Sequence, residues 1–248
     1  YVWYDLNNNG QQDAGEPPVP GATVTLLDPN GNPVTDANGN PVPPVVTGPN
    51  GQYTFTNLPP GDYIIRITPP TGYEASPNNG GDPDSNPSNT DNNGVQTGGF
   101  IQSPVFTLTS GGENGDGDAN PNNNPSIDFA LVGYNLGNRV WADLDNNGTQ
   151  EAAELGIQGV TTRLYTSAGI EVNVGPDGIL GTADDAAGGT TTDANGYYLF
   201  RNLPAGDYYV QVGTPVGFTS STPNAGDPDT DVDDKDDNGV TVAGHDEG

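Results

Sequence analysis

The 248-residue sequence repeats the same motifs in the same order in its two halves, and this internal repeat restricts the possible folds more than any other feature. Residues 2–5 (VWYD) recur as residues 140–143 (VWAD), and residues 50–63 (NGQYTFTNLPPGDY) recur as residues 195–208 (NGYYLFRNLPAGDY). Because each copy is the size of a small domain, the sequence predicts two tandem copies of one domain.

We expect domain one to occupy residues 1–133 and domain two to occupy residues 134–248. Domain two contains no counterpart of residues 127–131, which are expected to form a closing strand of domain one, so its C-terminal strands are expected to be missing from this segment. Two explanations are open. Either the natural chain continues, or a strand from a neighbouring molecule fills the open groove and builds a head-to-tail polymer.

Short runs of alternating apolar residues indicate β-strands, as in residues 63–67 (YIIRI) and 208–212 (YYVQV). No segment of useful length with helical periodicity separates these runs, which favours an all-β fold with two tandem prealbumin-like or immunoglobulin-like β-sandwich domains carrying long loops. The strands of domain one are expected near residues 1–4, 22–27, 42–47, 52–56, 62–68, 100–108 and 126–132.

Each copy opens with a twelve-residue segment that matches a calcium-loop pattern, D-x-[DN]-x-[DN]-G-x5-E. We call residues 5–16 (DLNNNGQQDAGE) loop 1 and residues 143–154 (DLDNNGTQEAAE) loop 2. In such a loop, oxygen atoms at alternate positions surround a hard cation, a glycine allows the sharp turn, and the final glutamate closes the shell with two oxygens. The alternative is a pair of polar Asx turns, which Asn-Gly sequences commonly form.

The spacing of the pattern assigns the ligands of a Ca²⁺ ion in each loop. The expected ligands are Asp5, Asn7, Asn9, Gln11 (backbone carbonyl), Asp13 and Glu16 in loop 1, and Asp143, Asp145, Asn147, Thr149 (backbone carbonyl), Glu151 and Glu154 in loop 2. Loop 2 has one more carboxylate among these positions, so we expect it to bind calcium more tightly.

Composition explains why such a chain needs a bound ion. The formal net charge is −28, Gly and Pro number 37 and 24, and there is no cysteine. A thin core with strong charge repulsion requires a staple, and without cysteine the staple cannot be a disulfide. Calcium would supply it and remove part of the repulsion. Because weak calcium sites fill only at extracellular calcium concentrations, a cell-surface or secreted location is expected.

The same composition excludes several partners. Lys and Arg number five together, so no basic face exists to bind nucleic acid. No apolar stretch reaches the length needed to insert into a membrane. Catalysis is not expected either, because the acidic residues lie in polar Asn/Gly-rich loops, there is no cysteine, and the single histidine is His245 near the end of the chain.

Further acidic segments are secondary calcium candidates, and each has a solvated or disordered loop as its alternative. In domain two these candidates are Asp177, Asp184 and Asp185 in a mid-domain loop, and Asp227, Asp229, Asp231 and Asp233 in a nearly continuous acidic run. Their weaker counterparts in domain one are Asp82, Asp84, Asn86 and Asp91, and a D-x-D segment lies within residues 113–120.

Three motifs, taken as a set, resemble the SdrD B-like, or B-type, repeats of serine-aspartate-repeat adhesins, which are related to collagen-adhesin B-type domains. The motifs are the V-W-x-D-x-[ND]-x-N-G opening, the N-G-x-Y-x-F-x-N-L-P-x-G-D-Y centre, and an acidic D-P-D…D-N-G-V stretch that occurs at residues 81–95 and 226–240. The resemblance implies a prealbumin-like β-sandwich, calcium in loops 1 and 2 and often in further acidic loops, and a stalk role. Collagen-adhesin relatives often form a Lys-Asn isopeptide bond, but here the single lysine, Lys235, lies in an acidic loop rather than in a strand.

Two function classes follow from these features. In the first, the chain is a calcium-rigidified structural repeat of an extracellular surface protein, acting as a stalk or filament segment beside neighbouring repeats. In the second, it is an adhesive module that recognises a host protein or glycan. Tandem repetition and a short linker favour the structural class, because no recognition face can be identified from the sequence.

Overall fold

A computed structural model describes residues 1–81, 90–112 and 122–221 of the chain. In these residues all regular secondary structure is β-strand, so the predicted all-β sandwich fold is confirmed. The described ranges also contain no helix of the length and hydrophobicity needed to cross a membrane. Backbone contacts divide the chain into two compact units, Tyr1–Tyr134 and Asn135–Gly248.

In the described residues, domain one has nine short strands in two sheets. One sheet has the order β1-β9-β5, and the other has the order β3-β2-β4-β7-β6 with β8 paired to β4. The strands are β1 (Val2–Tyr4), β2 (Thr23–Leu27), β3 (Val45–Val46), β4 (Gly61–Thr68), β5 (Glu74–Ala75), β6 (Val95–Thr97), β7 (Phe100–Gln102), β8 (Phe106–Leu108) and β9 (Phe129–Val132).

The two sheets of domain one enclose a single hydrophobic core. Val2 and Phe129 contribute to this core from the first sheet, and Ile65, Ile67 and Ile101 contribute from the second. Strands β1 and β9 lie parallel, with Val2 opposite Phe129, although almost the whole domain separates them in sequence. This pairing joins the two ends of domain one and places the residue after β1 beside the end of β9.

Domain two has six strands in the described residues. Strand β14 pairs with β10, while β11 pairs with β12, β13 and β15. The strands are β10 (Tyr134–Arg139), β11 (Thr161–Thr166), β12 (Glu171–Val172), β13 (Thr190–Thr191), β14 (Tyr197–Leu203) and β15 (Tyr208–Val212). The core between them is small, and its buried members are Leu164, Val174, Phe200 and Leu203.

The shared L-P-x-G-D-Y motif has the same structural role in both domains. The hydroxyl of Tyr63 donates to the carbonyl of Pro59 at 2.7 Å, and the hydroxyl of Tyr208 donates to the carbonyl of Pro204 at the same distance. Each tyrosine therefore locks the turn that precedes its own strand, which is the arrangement of a tyrosine corner.

The strand expected at residues 52–56 is absent, although its counterpart in domain two forms β14. Tyr53 and Phe55 still pack against the core, and the Tyr53 hydroxyl donates to the carbonyl of Ile127 at 2.5 Å. In the described part of domain one no neighbouring strand pairs with this segment, whereas β14 lies beside β10. The prediction was therefore right that Tyr53 and Phe55 face the core, and wrong that this segment forms the backbone hydrogen bonds of a strand.

Candidate metal-binding loops

Loop 1 begins where β1 ends, and its first residue is held from both sides. The backbone N–H of Asp5 donates to the carbonyl of Leu131 in β9 at 2.8 Å, and the side chain of Asp5 is only 1% exposed. Its carboxylate accepts the backbone N–H groups of Asn9 at 3.2 Å and Gly10 at 2.7 Å. The loop thus curls around the Asp5 carboxylate, as the first position of a cation loop requires.

The sharp turn of loop 1 depends on glycine. Gly10 has a φ of 73°, a left-handed conformation that side chains disfavour. A Cβ atom at this position would also lie 2.4 Å from the carbonyl oxygen of Pro77. The glycine is therefore required both by its own backbone and by the segment that packs on the loop.

The closing glutamate of loop 1 holds the two ends of the loop together. Its Oε1 atom accepts the N–H of Leu6 at 2.8 Å, and its Oε2 atom accepts the N–H of Asp13 at 2.9 Å. Burial raises the pKa of Glu16 above its ordinary value, while these two backbone donors act in the opposite direction. Both carboxylate oxygens of Glu16 are therefore orientated by the loop, which suits a bidentate ligand.

Loop 2 reproduces this hydrogen-bond pattern. The carboxylate of Asp143 accepts the N–H of Gly148 at 2.8 Å, and the two oxygens of Glu154 accept the N–H groups of Leu144 at 2.6 Å and Glu151 at 3.0 Å. Two sequences that differ at several positions therefore adopt the same skeleton, with the first carboxylate at the turn and the last carboxylate bridging the ends.

The carboxylates of loop 2 converge on one point. Oxygen atoms of Asp143, Asp145 and Glu154 all lie within 4.8 Å of one another, the one group of three or more potential metal ligands of this kind found in the described residues. The hydroxyl of Ser221 donates to Asp143 and, with further backbone donors, holds the pKa of Asp143 down at about 2. Asp143 is therefore ionised at neutral pH, as a calcium ligand must be.

In both loops, asparagine side chains donate hydrogen bonds to the carboxylate at the ninth position. In loop 1 the Nδ2 atoms of Asn7 and Asn9 both donate to Asp13 Oδ2 at 2.8 Å, and these two donors lower the pKa of Asp13. In loop 2 the Nδ2 atom of Asn147 donates to Glu151 at 2.8 Å. The expected ligands at the third, fifth and ninth positions of loop 1 are thus in mutual contact.

The residues expected to act through backbone carbonyls also lie in these turns. The N–H of Gln11 donates to Asn9 Oδ1 at 2.6 Å, and the N–H of Thr149 donates to Asn147 Oδ1 at 2.7 Å. Gln11 also forms a bridge to Asp91, so loop 1 is pinned to the segment that precedes β6.

Sequence reasoning missed a serine in each domain that contacts the first expected ligand of the loop. The hydroxyl of Ser76 donates to Asp5, and the hydroxyl of Ser221 donates to Asp143. The two serines occupy corresponding positions, five residues before the repeated GDPD motif at 81–84 and 226–229. Alignment of the two copies could therefore have revealed them, although nothing in either segment indicates which carboxylate they contact.

The DNNG motif of domain one, residues 91–94, forms a buried polar support rather than a surface loop. The side chain of Asn92 is fully buried, donates to the carbonyl of Ser76 at 2.8 Å and accepts the N–H of Ala130 at 3.1 Å. Its backbone N–H donates to the carbonyl of Gly10 at 2.9 Å. Asn92 therefore ties loop 1, the Ser76 segment and β9 together.

The three aspartates of the mid-domain loop, Asp177, Asp184 and Asp185, each bond to a different group of that loop. Asp177 caps the N–H of Ile179 at 2.8 Å, Asp185 caps the N–H of Gly181 at 2.8 Å, and the hydroxyl of Thr182 donates to Asp184 at 2.6 Å. The carboxylates of these three aspartates do not form a group within 4.8 Å of one another. In this structure they stabilise tight turns of the loop between β12 and β13.

Several predicted ligands lie outside the described residues. They are Asp227, Asp229, Asp231 and Asp233 of domain two, Asp82, Asp84 and Asn86 of domain one, and the segment 113–120.

Comparison with known protein families gives a match over almost the whole chain. The sequence profile of the SdrD B-like domain matches residues 1–120 and again residues 134–246. The serine-aspartate repeat-containing protein D of Staphylococcus aureus (strain Newman) is 36% identical over 247 residues, which are 98% of this chain and 15% of that protein. The serine-aspartate repeat-containing protein F of Staphylococcus epidermidis is 35% identical over 246 residues, covering 98% of this chain and 11% of that protein.

Comparison with solved structures gives weaker similarity. The shaft pilin SpaA of Lactobacillus rhamnosus GG aligns with a TM-score of 0.37 at 14% identity, covering 96% of this chain and 92% of that one. The minor pilin GBS52 of Streptococcus agalactiae aligns with a TM-score of 0.30 at 16% identity, covering 88% of this chain and 83% of that one. These scores are too low to indicate a common arrangement of the whole chains.

Proposed function

The chain belongs to the SdrD B-like domain family, and we propose that its two domains are calcium-stabilised structural repeats. It is an extracellular, cell-surface segment of the stalk or filament type, like the repeats of the adhesins that it matches. The chain spans about one seventh of the length of protein D, so the activity and partners of any longer protein are not carried over to it. This family is one of adhesin repeats and is not known for enzymatic activity.

The observation that carries the calcium proposal is the shared skeleton of loops 1 and 2. In both loops the first carboxylate accepts the N–H of the central glycine, and the last glutamate accepts backbone donors from both ends of the loop. Three carboxylates within 4.8 Å in loop 2 repel one another, since the described surroundings offer them no lysine or arginine partner. A divalent cation with oxygen ligands would convert this repulsion into attraction.

Oxygen-rich donor sets of this kind suit a hard cation, and calcium tolerates their irregular geometry. In loop 1 the ion would be held by Asp5, Asn7, Asn9, Asp13 and Glu16, with a backbone carbonyl from Gln11. In loop 2 it would be held by Asp143, Asp145, Asn147, Glu151 and Glu154, with a backbone carbonyl from Thr149. When bound, the ion would neutralise the carboxylates. It would also link the two ends of each loop, which hydrogen bonds to the closing glutamate already hold together.

Loop 2 should bind calcium roughly tenfold more tightly than loop 1, because more of its ligands are carboxylates and charge count tunes the affinity of such loops. Calorimetry on the full chain can separate the loops by using Glu16→Gln, which disables loop 1, and Glu154→Gln, which disables loop 2. The Glu16→Gln variant is expected to keep the tighter site. Glu74→Gln, which removes an exposed charge outside both loops, is the control. Equal affinities, or a tighter site in Glu154→Gln, would contradict the carboxylate-count argument.

Ser76→Ala should weaken calcium binding in loop 1 by about 10- to 100-fold, the usual cost of removing a group that orientates a metal ligand. The hydroxyl of Ser76 holds Asp5 in the orientation that accepts the N–H of Gly10. Ser221→Ala should have the same effect on loop 2. Ser220→Ala should leave both loops unchanged, because within the described residues its hydroxyl donates to the carbonyl of Ser221 and not to a loop carboxylate. Calorimetric affinities of Ser76→Ala equal to those of the unmodified chain would show that Asp5 needs no such support.

A further inference from the structure

A pair of stacked tyrosines marks the outer face of the larger sheet in domain two. Strands β11 and β15 are antiparallel, and their register places Tyr165 directly opposite Tyr209. The two rings are 5.2 Å apart between centroids and nearly parallel, with an interplanar angle of 9°. The adjacent pair in the same register, Leu164 and Val210, packs into the core, so the tyrosines point away from it. Tyr209 is 48% exposed.

Domain one does not have this pair. Alignment of the two copies places Leu27 at the position of Tyr165 and Ile64 at the position of Tyr209, and Leu27 and Ile64 are themselves paired across β2 and β4. Both are buried, with exposures of 6% and 2%. The same place in the fold is therefore aliphatic and covered in one domain, and aromatic and open to solvent in the other.

We propose that Tyr165 and Tyr209 form a site of oxidative cross-linking, at which hydrogen peroxide and a haem peroxidase convert the stacked pair into an intramolecular dityrosine. Each phenol gives up one hydrogen atom, as one electron and one proton, to the oxidised peroxidase. The two resulting radicals couple through ring carbons ortho to their hydroxyls, forming one C–C bond. The hydrogens on the coupled carbons then move to the phenolic oxygens and restore both rings. Overall the pair loses two hydrogen atoms, and one molecule of peroxide is reduced to two molecules of water.

The geometry favours coupling within this pair over coupling elsewhere. The two rings are already held next to each other, with centroids 5.2 Å apart, whereas two tyrosyl radicals on separate molecules must first meet by diffusion. The exposed edge of Tyr209 gives a bulky oxidant access. A second tyrosine pair, Tyr4 and Tyr73, has centroids 4.7 Å apart but a 43° interplanar angle, and both residues are buried. The rings are therefore close together in both pairs, but of the two pairs only Tyr165–Tyr209 has nearly parallel rings and a solvent-exposed member.

A covalent link here would matter to domain two in particular. The chain has no cysteine, and the hydrophobic cluster of domain two has only four buried side chains in the described residues. Linking β11 to β15 closes a loop that contains β12, β13 and β14, which restricts the unfolded chain and so stabilises the folded domain. This role does not depend on calcium, because neither tyrosine belongs to loop 2.

The experiment treats the dilute full chain, loaded with calcium, with horseradish peroxidase and a limiting amount of hydrogen peroxide. The monomer is expected to lose two hydrogen atoms in intact mass and to gain dityrosine fluorescence. Peptide mapping should join the segments that contain Tyr165 and Tyr209, and the cross-linked monomer should melt at a higher temperature than the untreated one. Tyr165→Phe and Tyr209→Phe should each abolish the intramolecular product. Tyr134→Phe, which removes an exposed tyrosine of β10, should leave it unchanged.

Three results would overturn the proposal. The first is a reaction that gives only cross-linked dimers. The second is an intramolecular link mapped to Tyr4 and Tyr73 instead. The third is an intramolecular product that persists at the same yield in Tyr165→Phe. Each phenylalanine variant keeps its ring and is expected to melt like the unmodified chain before oxidation. A melting curve of each untreated variant therefore separates loss of the product from unfolding.

Discussion

Chelation of calcium will lower the melting temperature of the full chain by roughly 10 °C. A ligand that binds only the native state at a hundred times its dissociation constant adds ~2.7 kcal/mol of stability, and each kcal/mol shifts a domain of somewhat more than 100 residues by about 4 °C. The structural reason is the position of the loops. Asp5 and Asp143 follow the first segments of their domains, and Glu16 and Glu154 tie the other ends of the loops to them.

Differential scanning calorimetry with excess EGTA measures this effect. EGTA saturated with calcium at the same ionic strength is the control, because it leaves screening of the −28 net charge unchanged. A variant carrying both Glu16→Gln and Glu154→Gln should already melt at a lower temperature and should respond little to EGTA. A melting curve of the unmodified chain that does not move with EGTA would remove calcium as the stabilising ion.

Phe200→Ala will remove a large part of the stability of domain two. The ring of Phe200 is fully buried in a core that has only three other buried members in the described residues. Truncating a buried phenylalanine costs about 3–5 kcal/mol, whereas a whole small domain is stable by about 5–15 kcal/mol. Because the ring is fully buried, its truncation should cost an amount within this range.

Leu199→Ala is the matched control for Phe200→Ala. Leu199 is the preceding residue of the same strand, points to the opposite face and is 48% exposed, so its truncation should change the stability by no more than about 0.5 kcal/mol. Hydrogen exchange resolved by segment can compare the two variants, and β11 and β15 should lose protection only in Phe200→Ala. Equal protection of these strands in the two variants would show that the core of domain two does not depend on Phe200.

The turns of loops 1 and 2 were predictable from sequence because their geometry is local. The hydrogen bonds from Gly10 to Asp5 and from Leu6 to Glu16 lie within twelve consecutive residues, so residue type and spacing suffice to specify them. The tyrosine corner at Pro59 and Tyr63 is local in the same sense. The alternating strands β4 and β15 were recognised for a related reason, since side chains on successive residues of a strand point to opposite faces.

The tertiary structure decided everything that depends on which distant segments become neighbours. Ser76 and Ser221 hydrogen-bond to the first carboxylates of the loops from far along the chain, and β9 lies parallel to β1. Residues 52–56 carry the side-chain pattern of a strand without forming one, whereas β14 in the other copy forms a ladder with β10. A strand requires an available edge in addition to a suitable pattern, and edges become available only when the sheets pack around their core. For the same reason, the sequence of domain two shows two tyrosines far apart, and only the register of β11 and β15 brings them into contact.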